Sequence, residues 1–345
     1  MSPHANSFKT LLVVSACALA TVVAVDFGVR RVAPLKPTVI DVEDGVIDVE
    51  RGDPDVVVLG SSHTRSFRAL AELLPDQQFA LVAVEEGTFR NFNWVLNHRL
   101  RRLIDERDAS GQLKRKRLSR LLLITTYWDM CSPRFTGEIG SLPARAWTFR
   151  HFADDFIENG LTDYNRNYLN SKWKKAFPLV MTRSRGEELI PAQMRLALST
   201  PEVRAQFHKE LIDRSIEAAH SDLERGRSEC DDARQKRALD EILDFFNARD
   251  VEVTVVLFPL VKEAVSDVAR QTTLRHYASY IAELNTRKKF KTDDLTLKHE
   301  LETADFMDDM DHVSAAGNRK LQSWALERDF AYLKTLPQPR AASRQ

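Results

Sequence analysis

The chain has 345 residues, with 50 Lys and Arg against 50 Asp and Glu, so its formal net charge is zero, and 43% of its residues are hydrophobic. This composition excludes disordered, collagen-like and disulfide-framework classes. A neutral balance also gives no field for holding nucleic acid.

After a tail over residues 1–9, Thr10 to Val25 reads TLLVVSACALATVVAV without a charge, and the apolar run continues to Val29 past Asp26. A bilayer core takes roughly 17–25 helical residues, so 10–29 is expected to be a single transmembrane signal anchor. Ala18-Leu19-Ala20 leaves a cleaved signal peptide open, and Val14-Ser15-Ala16-Cys17 a lipoprotein box. Lys9 before the run and Arg30 and Arg31 after it weakly favour a cytoplasmic C-terminal side, although long domains cross regardless of such small biases. Over 38–50 the text TVIDVEDGVIDVE alternates β-branched residues around Asp44-Gly45, which predicts a β-hairpin with a type I′ turn.

Asp55 to Leu59 (DVVVL) reads as a fully buried parallel strand ending at Gly60-Ser61-Ser62. A helix is expected over 63–74, a strand over 79–84, a helix over 89–105 with Phe92, Val95, Leu96, Leu100 and Leu103 at helical spacing, and a third strand over 120–125. An aromatic- and charge-rich stretch without a clean strand, about 130–228, then reads as an insertion. The alternation resumes with a helix over 232–248, a strand over 251–258, a helix over 264–284, a fifth strand within 288–297 and a last helix over 314–333. A disordered tail is expected over 335–345. The fold class is therefore α/β, a three-layer α/β/α domain with a doubly wound parallel sheet over 54–334.

Two loops carry candidate chemistry. Gly60-Ser61-Ser62-His63 follows the first strand, where a serine stands at the carboxyl edge of the sheet; either serine also suits a helix N-cap. Asp309-Met310-Asp311-His312 precedes the last helix, where a carboxylate can hold an imidazole as general base; Asp305, Asp308, Asp309 and Asp311 equally suit a helix N-terminus. Lys114-Arg115-Lys116-Arg117 reads as a solvated basic loop at the amino edge, with contact to anionic lipid headgroups as the alternative. No histidine spacing suits a metal and no dinucleotide or Walker loop occurs, so neither metal nor cofactor is expected. Cys131 and Cys230 could pair in an oxidising compartment, and their spacing leaves this open.

VVVLGSSHTRSF and FMDDMDHVSAAGNRKL together resemble the two end blocks of the SGNH/GDSL hydrolase superfamily, over roughly 54–130 and 232–334. The Gly-Ser-Ser form is similar to membrane-anchored members such as the alginate O-acetylation proteins and the DltD family. The resemblance implies an SGNH/flavodoxin-like core with Ser62 as nucleophile, His312 as base and Asp309 as its orienter. It also implies an oxyanion hole, with Gly87 matching the second block. The third block, where the family places asparagine, reads Thr125-Thr126-Tyr127-Trp128-Asp129, which leaves Trp128, Asn91 or Asn93 as substitute donors. The function so implied is acyl-ester hydrolysis or O-acyl transfer on a cell-envelope polysaccharide through an acyl-serine. The implied partners are a carbohydrate polymer or acyl donor and a multi-pass membrane acyltransferase. The implied location is the cytoplasmic membrane, single-pass, with the main domain periplasmic or extracellular. A catalytically silent scaffold that binds a glycan or the acyltransferase is the alternative, and a plain esterase of a small soluble substrate is another.

Overall fold

A computed structural model describes residues 42–84, 87–115, 117–130, 200–229, 232–307 and 310–335, with isolated positions 153, 157 and 169. The chain divides into two compact units, one of Ile40–Ala146 with Arg204–Gln345 and one of Met1–Val39 with Trp147–Val203. The second lies almost wholly outside the described residues, as do the expected anchor, Cys131, Cys230, Asp309 and the C-terminal tail. Among the described residues no helix is long and apolar enough to cross a membrane.

Five parallel strands form one sheet in the order β2-β1-β3-β4-β5: β1 Val56–Gly60, β2 Phe79–Ala83, β3 Arg120–Thr125, β4 Glu252–Leu257 and β5 Lys291–Asp294. The apolar runs read from the sequence are these strands, and β1 and β3 are buried along their whole length. Strands covered on both faces carry continuous Val, Ile and Leu rather than an alternation. β1 is an interior strand, paired on both sides, with Gly60 level with Ala83 of β2 and Ile124 of β3. The chain moves outward in opposite directions from β1 and β3, so the crevice at their carboxyl ends is the topological switch point.

A 3₁₀ turn, Ser62–Phe67, leads from β1 into α2, Ala69–Leu73. The helix after β2 consists of α3 (Phe89–Val95), a π-turn (Leu96–Leu100) and α4 (Arg101–Ile104). The insertion ends in α5, Pro201–Glu229, followed by α6, Ala233–Asn247. Between β4 and β5 run a short helical turn (Asp267–Ala269), a second π-turn (Arg270–Leu274) and α7, Arg275–Arg287. The last helix is α8, Ala315–Leu326. α3 packs on α6, and α6 meets α7 through Lys288–Asp244 at 2.6 Å. α2 packs on α8. Right-handed crossovers put these two groups on opposite faces of the sheet.

The expected hairpin over 38–50 is not formed; Val42–Arg51 is a helix, α1, packed on β2. Residues 42, 45, 46 and 49 share one helical stripe, so the valines that alternate around Asp44-Gly45 also satisfy the 3.6-residue period. Val46 and Val49 are buried. Gly45 is required by the close approach of α1 to β2, since a Cβ there would lie 2.1 Å from the Leu81 carbonyl oxygen.

Within the basic cluster Lys114 is exposed as expected, but Arg115 is not solvated. Arg115 is buried and donates to the carbonyls of Val49 (3.0 Å) and Glu50 at the C-terminus of α1. Arg117 grips the Asp55 carboxylate with two bonds, of 2.8 and 2.6 Å.

Candidate functional site

The site grows from the carboxyl end of β1. Gly60 is needed there, because a Cβ would lie 2.4 Å from the Ile124 carbonyl and 2.8 Å from Thr64 Oγ1. Ser61 occupies the N-cap position of the following turn, but no side-chain cap bond forms. The N-cap reading of these serines therefore does not hold: both hydroxyls reach histidines instead. Ser62 Oγ lies 2.6 Å from His312 Nε2, across 250 residues of sequence. Ser61 Oγ lies 2.7 Å from His63 Nδ1.

His312 comes from the loop before α8. The N-cap of that helix is Ser314, whose hydroxyl accepts from the Gly317 amide at 3.1 Å. The acidic residues upstream serve other groups, Asp305 pairing with Lys320 at 2.7 Å and Asp311 turning to the histidines.

Asp311 is the described carboxylate beside both rings, and Asp309 lies outside the described residues. Its Oδ1 is 3.1 Å from His63 Nε2, and its Oδ2 is 3.8 Å from His312 Nδ1, one short movement from a hydrogen bond. His63 Nε2 also lies 3.1 Å from the Asp311 carbonyl oxygen. A nitrogen facing two acceptors carries the proton, so in neutral His63 Nδ1 accepts from the Ser61 hydroxyl. The two imidazoles stack at 4.9 Å with 16° between their planes, and Phe258 packs 4.3 Å from His63 on its other side. Burial pushes the Asp311 carboxyl up, but the neighbouring His63, with a smaller contribution from His312, outweighs it and holds the pKa at about 2. The carboxylate is therefore ionised throughout the ordinary pH range.

Asp129 stands beneath this cluster. It is buried, accepts from the Thr126 amide at 2.8 Å, and its carboxyl is held well above the usual range, first by burial and further by the charge on Asp311. Thr125, at the end of β3, accepts from the hydroxyl of the buried Tyr277.

Two of the four expected oxyanion donors, Gly87 and Asn93, are committed elsewhere. The Gly87 amide donates to the Val84 carbonyl at 3.0 Å. Asn91 Oδ1 closes the capping box of α3 by accepting from Thr88 N (2.9 Å) and Thr88 Oγ1 (2.8 Å). Asn93 Nδ2 donates to Glu241 Oε2 on α6 at 2.5 Å, which corrects its expected place at the site. Trp128 packs 4.7 Å from Tyr127, and both line a cavity of about 340 Å³ that Asp311 also lines.

His63, Asp311 and His312 offer ligand atoms within 4.8 Å of one another. A single ion must lie in the plane of both rings. Near-parallel rings 4.9 Å apart aim their lone pairs along separate lines, so metal binding would require one ring to turn. The geometry as it stands is that of a hydrogen-bonded chain, Ser61–His63–Asp311 beside His312–Ser62.

Sequence reasoning missed His63, although it follows the serines directly, and passed over Asp311; Asp309, which it named, lies outside the described residues. Both residues stand within the two motifs; spacing alone does not show which carboxylate a folded loop turns inward. No protein-family profile and no curated protein matches the chain.

Proposed function

We propose that the protein is a serine-dependent acyl-ester hydrolase or O-acyltransferase of SGNH-like type. The observation that carries this is the 2.6 Å approach of Ser62 Oγ to His312 Nε2 at the switch point of a doubly wound sheet. His312 takes the Ser62 proton as the oxygen attacks the ester carbonyl. The imidazolium gives that proton to the leaving alkoxide, which leaves an acyl-Ser62. Water or a sugar hydroxyl then attacks the acyl group, again with His312 as base. Asp311 faces the Nδ1–H of His312 and stabilises the imidazolium, as a triad carboxylate does. His63 holds Asp311 from the opposite side.

The acceptor and location follow from the sequence resemblance: an envelope polysaccharide, with the domain tethered outside the cytoplasmic membrane by 10–29. The second reading is the silent scaffold. It is favoured by the commitment of the Gly87 amide to Val84, since loss of one oxyanion donor costs ~10²–10³ in rate.

Hydrolysis of p-nitrophenyl acetate by the purified protein decides between them. Ser62→Ala and His312→Ala are each expected to remove at least ~99.9% of it, and the double variant no more, because the two groups act as one unit. Wild-type turnover retained in Ser62→Ala would place the activity elsewhere. No turnover and no labelling of Ser62 by a serine-reactive phosphonate, with a glycan acceptor present, would establish the scaffold.

A further inference from the structure

We infer that the cavity beside Asp311 is an acyl-chain pocket, so that the ester taken by Ser62 carries a medium-length alkyl chain rather than acetyl; this rests on the serine reading above. The cavity holds about 340 Å³ and lies between the loop after β3 (Tyr127, Trp128), the loop before α8 (Met310, Asp311) and α5 (Ala218, Ala219). At ~30 Å³ for a water-sized group it has room for roughly ten methylenes.

Three features select an alkyl chain as the occupant. First, apart from Asp311 and Ser215 the walls are aliphatic or aromatic. The one charged group, Asp311, already faces two histidines. Second, α5 leaves the space open by its sequence. Ser215, Ala218 and Ala219 stand three and four residues apart, on one helical face, and all three are small. The helix is held in place where Thr273 Oγ1 donates to the Leu223 carbonyl at 2.6 Å and Ser266 Oγ donates to Glu224 at 2.9 Å. Third, the cavity shares Asp311 with the site, so it is linked to the nucleophile through Asp311 and His312. His312 touches Ser62 through Nε2 and faces Asp311 through Nδ1. The first carbons of an acyl group on Ser62 therefore stay outside the cavity, and only a chain of several carbons passes His312 and enters it.

The test is kcat/KM for p-nitrophenyl acetate and p-nitrophenyl octanoate, the latter below its micelle concentration. The wild type is expected to prefer octanoate by on the order of 10–100-fold, as burial of several methylenes predicts. Ala219→Phe fills the cavity and is expected to bring the octanoate-to-acetate ratio near unity. Ala218→Leu, at a more exposed position, gives a smaller drop and serves if the first variant does not fold by its thermal melt. A Ser62-dependent esterase with no octanoate preference, or one whose ratio survives both substitutions, overturns the pocket and leaves the serine reading standing. If no ester is turned over at Ser62, calorimetry with sodium octanoate decides. Saturable binding lost in Ala219→Phe supports the pocket without the chemistry, and absence of binding to the wild type overturns it.

Discussion

Met310 has φ 54°, left-handed backbone that non-glycine residues adopt only when their surroundings hold them there. Here Met307 N–H donates to the His312 carbonyl at 2.7 Å and Met310 N–H to the Met307 carbonyl at 2.9 Å. The loop is thereby closed tightly enough to turn Asp311 back onto the histidines. A linear Asp-x-x-His spacing points to Asp309, which lies outside the described residues; the turn at Met310 is what brings Asp311 to the rings, and spacing carries no sign of it. Asp311→Asn is expected to lower kcat by up to ~10⁴, against up to ~10⁶ for loss of Ser62 or His312, because the imidazole remains but is held in the wrong tautomer. Because the Asp311 carboxyl titrates at about 2, it is ionised on both sides of neutrality. An acid limb in the rate profile would then report histidine protonation rather than that of Asp311, and it should persist in Asp311→Asn. Disappearance of the limb in that variant would assign it to Asp311 and contradict the geometry.

At the scale of elements, β1 and β3 were legible because parallel strands buried on both faces carry uninterrupted β-branched and leucine runs, as DVVVL and RLLLIT do, whereas the partly exposed β5 (KTDD) has no such run. α1 was not, because its valines satisfy both periods and only the neighbouring β2 decides between them. That dependence makes Gly45→Val a sharp test. Its Cβ would overlap the Leu81 carbonyl, and α1 must lift from β2 to relieve the overlap, at an expected cost of about 1–3 kcal/mol in denaturant unfolding. An unchanged unfolding free energy in the variant would contradict the close approach of α1 to β2. β5 carries a second testable feature. Burial, with a smaller contribution from Asp329, raises the Asp293 pKa to about 6, against the hydrogen bond that Tyr332 donates to it at 3.2 Å. An acid with a raised folded-state pKa favours the fold while protonated. Stability is therefore highest below about pH 4, where the unfolded chain also holds the proton, and falls as pH rises to about 6. Asp293→Asn should flatten this decline and add about 1–2 kcal/mol at pH 7, the figure being reduced for the partial exposure of the group. An unchanged pH slope in the variant would place the titration elsewhere.

For the whole molecule, the sheet and its switch point bring together two loops far apart in sequence, while a long segment enters and leaves at one place. The Asp232 amide donates to the Met130 carbonyl at 3.2 Å, so the last residue after β3 and the N-cap of α6 are already in contact. Residues 131–231 can therefore be excised and replaced by a short Gly-Ser linker without moving β3 or α6. The sheet core does not depend on the excised chain for its strand pairing, since all five described strands lie outside it. Excision does remove α5, and with it the small-residue wall of the cavity and the buried Leu223. The shortened protein is expected to unfold cooperatively but at a lower temperature, because the apolar surface under Leu223 becomes exposed. It should keep Ser62-dependent hydrolysis of p-nitrophenyl acetate, because Ser62, His63, Asp311 and His312 all remain. It should lose its preference for p-nitrophenyl octanoate, because nothing then closes the cavity. A shortened protein that folds yet loses acetate hydrolysis would show that the excised segment supplies a group to the reaction itself, such as the oxyanion donor that Gly87 does not provide. One that keeps the octanoate preference would show that the loops after β3 and before α8 hold the chain by themselves.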